Sequence, residues 1–176
     1  MEASKHQHHS YLVLGGARSG KSGYAERLAK ASKKDVIYIA TATAQDGEMQ
    51  QRIAKHKQDR PASWKTIEEP LALADTLQQW SSTERIILVD CLTLWLTNLL
   101  AQPDSRMQKE LEQLYSCLAD LPGTTIFVSN EVGMGIVPMG ELTRRFVDES
   151  GRLHQRLAQL SDTVILMVAG LPHTIK

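Results

Sequence analysis

Tyr11-Leu12-Val13-Leu14-Gly15-Gly16-Ala17-Arg18-Ser19-Gly20-Lys21-Ser22 is an apolar run that breaks into a glycine-rich turn and closes on a lysine and a hydroxyl. Gly15 to Ser22 satisfies G-x-x-x-x-G-K-[ST], the pattern of a phosphate-binding loop set between a strand and a helix. The helix that follows places Ala25, Leu28 and Ala29 on one face. Glycines let the backbone wrap closely around a triphosphate, and the exposed N–H groups and the helix N-terminus favour negative charge. Lys21 then reaches the outer phosphates and Ser22 ligates magnesium. A glycine-rich turn without function is the competing reading, and the strand–loop–helix context argues against it.

Outward from the loop, strand-like and helix-like segments alternate. Val36 to Ala42, Arg85 to Asp90, Thr124 to Asn130 and Thr163 to Gly170 are continuous rather than alternating apolar runs, as strands covered on both faces must be. They predict an α/β domain of P-loop NTPase type, with three layers and a mostly parallel central sheet. Two helical stripes, Met107, Leu111, Leu114, Leu118, Leu121 and Leu142, Phe146, Glu149, Leu153, Leu157, Leu160, are read as core-facing. Asp90 closes its strand where a P-loop protein needs a second carboxylate beside the magnesium. The alternative is an aspartate that simply caps the next helix.

The chain has 176 residues, which suits one domain, taken as 11–176 behind a flexible polar extension over 1–10 that carries His6, His8 and His9. Twenty Lys and Arg balance twenty Asp and Glu, and 42% of residues are hydrophobic, which excludes disorder and a broad electrostatic grip on nucleic acid. Any anion must be held locally. Cys91 and Cys117 have no C-x-x-C spacing, which points to a reducing compartment and hence the cytoplasm. No apolar stretch reaches the ~18 residues of a membrane span, and the start lacks the apolar run of a secretory leader.

Ala40 to Pro70, ATATAQDGEMQQRIAKHKQDRPASWKTIEEP, is too polar for core. Thr43 followed by Asp46 opens a helix on which Met49, Ile53 and His56 share a face, while Arg52, His56 and Arg60 follow at i,i+4 steps. His56 has two readings: a structural histidine on a partly apolar face, or a neutral imidazole kept basic-side-out by its cationic neighbours and able to attack phosphorus. Glu68 and Glu69, in the strand-like WKTIEE, either bind a ribose hydroxyl or face water. After the Thr124 to Asn130 strand, Asn130 to Pro138 forms a loop where open α/β sheets place ligands. It either shapes an acceptor site around Glu131 or is an ordinary turn built on Gly133 and Gly135.

Three strings together, LVLGGARSGKS, D-x-E-M-x-x-R-I-x-x-H-x-x-x-R-P-x-x-W-x-T-x-E-E-P from Asp46 to Pro70, and SNEVGMGIVP, resemble the bifunctional adenosylcobinamide kinase / adenosylcobinamide-phosphate guanylyltransferase family of cobalamin biosynthesis. GRLHQRLAQLSDTVILMVAGLP is similar too, so the resemblance runs from about Tyr11 to the C-terminus. It implies phosphorylation of adenosylcobinamide from ATP or GTP, then transfer of GMP from GTP to adenosylcobinamide phosphate through a guanylyl-histidine, with Mg2+ and a homotrimeric assembly. It also implies roles residue by residue. Gly15, Gly16, Ala17, Arg18, Ser19, Gly20, Lys21 and Ser22 match the nucleotide loop, and Ala40, Thr41 and Ala42 a strand-end contact. His56 matches the guanylylated residue, and Lys57, Gln58, Asp59 and Arg60 the segment beside it. Glu68 and Asp90 match further nucleotide or magnesium-side groups. His154 departs from the pattern, standing where relatives often have Asn. Without the resemblance, a one-reaction P-loop kinase of another metabolite, or a nucleotide-gated assembly protein, also fits the loop; the second has no Asn-Lys-x-Asp guanine-reading string to support it.

Overall fold

The computed structural model describes residues 8–43 and 61–176. Continuous apolar runs become strands β1 (His8–Gly15), β2 (Asp35–Ala40), β4 (Arg85–Asp90), β5 (Gly123–Asn130) and β6 (Thr163–Val168), with short strands β3 (Lys65–Glu68) and β7 (Leu171–Thr174). Helices α1 (Lys21–Ala31), α2 (Leu73–Trp80), α3 (Leu92–Leu100), α4 (Asp104–Cys117) and α5 (Glu141–Leu160) lie between them. The seven strands form one sheet in the order β3-β2-β4-β5-β1-β6-β7. Every pairing is parallel except β6 with β7.

Side chains alternate across each strand, so both faces of these runs are buried. On one face Leu12, Ile39, Val89 and Phe127 meet Leu77, Trp95, Leu111, Leu153 and Leu157 from α2 to α5. On the other, Val13, Tyr38, Leu88, Val128 and Met167 meet Ala25 and Ala29 of α1. Small alanines let α1 sit close to the sheet, which brings its N-terminus over the carboxyl ends of the central strands. The expected three layers and the mostly parallel central sheet are present. Among the described residues no helix is long and apolar enough to cross a membrane.

The structure corrects the sequence reading in three places. β1 begins at His8, so residues 8–10, expected in a flexible extension, are strand. Ser10 is buried, and its N–H and hydroxyl both donate to Asp162 Oδ2, at 2.7 and 3.0 Å. This pairing with the head of β6, 152 residues away, has no local signature. Second, the run ending at Gly170 turns rather than stops. Ala169 and Gly170 both have positive φ, 50° and 80°, the two-residue hairpin geometry that returns the chain as β7. Third, the α5 stripe is core only from Ser150 onward. Leu142 is exposed, and with Met134, Ile136, Val137 and Met139 it forms an apolar surface that no described part of this chain covers.

Candidate functional site

The loop between β1 and α1 has the geometry that its glycines require. A Cβ at Gly15 would lie 2.5 Å from Ser19 Oγ and 2.6 Å from the Met167 carbonyl, so only glycine fits there. Gly20, with φ 95°, occupies the left-handed region directly before α1. The β6–β7 hairpin supports the loop from outside, since Gly170 N–H donates to the Ser19 carbonyl at 3.0 Å. Lys21 is buried, and its Nζ donates to the Gly16 carbonyl at 2.5 Å and to Ser19 Oγ at 3.4 Å. Burial lowers its pKa, while Cys91 and Asp90 nearby act to raise it. Ser22 is the next residue of α1.

Asp90 ends β4 and is not the cap of the following helix: α3 starts at Leu92 with Cys91 as its N-cap residue. Tyr38 Oη donates to Asp90 Oδ2 at 2.9 Å, which orients the carboxylate from the α1 face of the sheet. The cysteine beside it is inert. Burial, and then the Asp90 charge, push the Cys91 thiol up to about 11.

Ala40 is level with Asp90 on one side and with Glu68 on the other, so a row of strand ends continues from the loop toward β3. Thr41 is buried: its hydroxyl donates to the Cys91 carbonyl at 2.6 Å, and Asn98 Nδ2 donates to its own carbonyl at 2.8 Å. Ala40 to Ala42 are thereby fixed relative to Asp90. Glu68 is exposed at the end of β3. Glu69 does not simply face water: its Oε1 accepts the N–H groups of Leu71 and Ala72 at 2.8 Å each and holds the turn into α2. Arg52, His56, Lys57, Gln58, Asp59 and Arg60 lie outside the described residues.

Residues that the sequence reading did not assemble occur at the end of β5. Asn130 pairs with Gly15, and Glu131 N–H donates to the Gly15 carbonyl at 2.9 Å, so this loop is stitched to the phosphate loop. Glu131 Oε1 accepts Gly133 N–H at 2.5 Å, which gives Gly133 a turn role. His154 of α5 is buried, with Nε2 2.8 Å from Ser129 Oγ and Nδ1 3.7 Å from Glu131 Oε2. Thr93 extends the chain: its hydroxyl lies 3.4 Å from Ser129 Oγ and accepts Asn130 N–H at 2.8 Å. In the sequence, the departure at His154 and the loop around Glu131 marked two members of this network, but nothing joined them or pointed to Ser129 and Thr93. Tyr38, the partner of Asp90, carried no signal beyond its place in a strand.

The glycine loop, the strand-end aspartate and the loop after the intervening strand lie together at the carboxyl ends of the central strands. The known proteins agree with that arrangement. A structure solved from Pyrococcus horikoshii OT3 shares the fold, with a TM-score of 0.59, 10% identity, and coverage of 96% of this chain and 86% of its own. The chain is 59% identical over 166 residues to the bifunctional adenosylcobalamin biosynthesis protein CobP of Pseudomonas aeruginosa, covering 94% of this chain and 96% of that protein. It is 38% identical to the bifunctional adenosylcobalamin biosynthesis protein CobU of Escherichia coli K12, and 40% identical to that of Salmonella typhimurium LT2. Each alignment covers 94% of this chain and 98% of the relative. The family model described as cobinamide kinase / cobinamide phosphate guanyltransferase matches residues 11–175, from the middle of β1 to the end of the sheet. With phosphate loop, strand-end carboxylate and sheet all inside that match, the chain belongs to the cobinamide kinase / cobinamide phosphate guanyltransferase family.

Proposed function

We propose that this chain carries out both reactions in turn: phosphorylation of the aminopropanol hydroxyl of adenosylcobinamide with ATP or GTP, then guanylyl transfer from GTP to the product. The observation that carries the reading is the complete phosphate loop, with Lys21 buried beside Asp90, inside a family match spanning 11–175. The loop N–H groups and the N-terminus of α1 take the triphosphate. Lys21 exchanges the Gly16 carbonyl and Ser19 hydroxyl for phosphate oxygens, and Arg18 adds charge at the rim. Ala40 to Ala42 and Glu68 lie along the strand ends, where the nucleoside extends. The Ser22 hydroxyl and the Tyr38-oriented Asp90 carboxylate are hard oxygen donors. Two such ligands suit a magnesium ion that takes its remaining ligands from water and substrate phosphates. When bound, that ion neutralises charge developing on the phosphates.

In the second reaction His56 is the nucleophile. A neutral ring nitrogen attacks the α-phosphorus of GTP, an N–P bond forms, and the bond to the β-phosphate oxygen breaks, releasing pyrophosphate. A phosphate oxygen of adenosylcobinamide phosphate then attacks the same phosphorus and the N–P bond breaks, giving adenosylcobinamide-GDP. Arg52 and Lys57 to Arg60 flank the histidine in sequence and supply the nearby polar and cationic groups. GTP labelled on the α-phosphate tests the covalent step. Acid-labile, alkali-stable label on the wild type, absent from His56→Ala, supports it, and an unlabelled wild type refutes it.

The assembly is a homotrimer in this reading, supported by the family resemblance and by the uncovered apolar surface from Met134 to Leu142. Sedimentation equilibrium is expected to give three times 19.6 kDa. A monomeric mass at micromolar concentration excludes it. Two free thiols, Cys91 and Cys117, are consistent with the cytoplasm as the site of action.

A further inference from the structure

The two reactions use different nucleophiles, and only one of them needs a base. A neutral imidazole and a phosphate oxygen have free electron pairs at neutral pH, whereas the hydroxyl of adenosylcobinamide must lose its proton as it attacks the γ-phosphorus. Among the described carboxylates at this edge, three are otherwise placed. Asp90 is oriented by Tyr38 beside Lys21, and Glu69 holds the turn into α2. Glu68 lies on β3, four strands from β1, about 19 Å across the sheet at ~4.8 Å per strand. Glu131 is set apart by its place: its Oε1 accepts Gly133 N–H at 2.5 Å, while its Oε2 is turned toward His154. It lies on the segment bonded to Gly15, one residue past the level of the loop's first glycine, with a side chain one-fifth exposed.

Its surroundings preserve it as an open base. Thr93 Oγ1 accepts Asn130 N–H and lies 3.4 Å from Ser129 Oγ, which lies 2.8 Å from His154 Nε2. The Nδ1–H tautomer of His154 lets Nε2 accept from Ser129 and turns the N–H toward Glu131 Oε2 at 3.7 Å. The opposite order would point a ring lone pair at a carboxylate. The separation exceeds a hydrogen bond, as is common in sites awaiting substrate. Burial keeps His154 neutral against the pull of Glu131, so the glutamate is not spent in an ion pair.

We propose that Glu131 is the general base of the kinase step and that His154 is its positioning residue, held by Ser129 and Thr93. The substrate oxygen forms its bond to the γ-phosphorus, the bond from that phosphorus to the β-phosphate oxygen breaks, and the hydroxyl proton passes to Glu131. The inference rests on the kinase activity proposed above.

The test uses the full-length protein and follows two reactions separately: phosphorylation of adenosylcobinamide from γ-labelled ATP, and labelling of the chain by α-labelled GTP, which also reports folding. Glu131→Gln is expected to lower kinase kcat about 100-fold, at least ten times more than it lowers chain labelling. His154→Leu lowers kinase kcat by about tenfold, and His154→Asn, which retains a donor and an acceptor, recovers most of that loss. A Glu131→Gln enzyme with wild-type kinase turnover, or one in which both reactions fall equally, overturns the role of the base. Equal defects in His154→Asn and His154→Leu overturn the positioning role. A wild type that labels with GTP yet phosphorylates no adenosylcobinamide removes the kinase reading itself, and this inference with it.

Discussion

At the scale of the residue, Lys21 is the group that the proposed mechanism uses in both reactions. Its ammonium is withdrawn from water and satisfied by the Gly16 carbonyl and the Ser19 hydroxyl, groups that phosphate oxygens readily replace. Burial lowers its pKa, yet the Asp90 charge opposes that shift, so the site retains a cation where the triphosphate needs one. Lys21→Ala is expected to depress kinase turnover and His56 labelling together, each by about 100-fold, the typical loss when a preorganised charge-stabilising donor is removed. Rates measured on the two labelled nucleotides check this. Guanylylation at the wild-type rate in that variant would show that the reactions use separate nucleotide sites.

At the scale of the element, the site depends on how strand ends are tied. Asn98 of α3 donates to the carbonyls of Thr41 and Pro70, at 2.8 and 3.1 Å, and accepts the Thr43 hydroxyl at 3.1 Å. One amide thus joins the end of β2 to the segment after β3. Asn98→Ala leaves these groups without that partner and should cost about 1–3 kcal/mol in urea unfolding. A weaker hold on nucleotide should accompany it, because the 40–42 segment loses its anchor. At the other end of the sheet, Gly123 opens β5 with φ 83°, and a Cβ there would lie 2.0 Å from the Ser82 carbonyl oxygen. Gly123→Ala is expected to destabilise the fold by about 2 kcal/mol or more, since backbone strain and the clash add. An unchanged urea midpoint would mean that the β4 entry shifts freely to make room.

At the scale of the whole molecule, His154, His8 and Asp162 make stability fall as pH falls, and Glu110, whose carboxyl burial pushes up, works against them in the acid range. Burial lowers the His154 pKa below its ordinary 6.5, with Glu131 pulling the other way, and burial likewise lowers His8. Unfolding restores the ordinary value, so below about pH 6.5 the unfolded chain binds more protons than the folded one. Asp162 acts in the same sense at lower pH. Partial burial alone raises its carboxyl, but the Ser10 N–H and hydroxyl, with His9 and His8, outweigh this and hold it down. A depressed carboxylate adds stability above its unfolded pKa that is lost as pH falls through the folded one. The urea midpoint should therefore fall from pH 7.5 to 5.5 and again toward pH 3, and His154→Asn should flatten the first decline. A midpoint that rises between pH 7.5 and 5.5 contradicts this assignment.

The sequence alone determined what contiguous residues can encode. Gly15 to Ser22 declares itself because strand, turn and helix are consecutive, and the five apolar runs declare a covered parallel sheet because burial on both faces removes polar alternation. His56 stands out through the pattern around it. Tertiary structure decided who meets whom. Ser10 with Asp162, Tyr38 with Asp90, and His154 with Ser129 and with Glu131 are contacts across 152, 52, 25 and 23 residues of chain. A buried polar group shows in the sequence only as a residue type, and its partner depends on strand order and register. The same limit hid the start of β1 at His8 and the exposed first turns of α5. Periodicity marks an apolar face, but whether anything covers that face is settled only by the path of the rest of the chain.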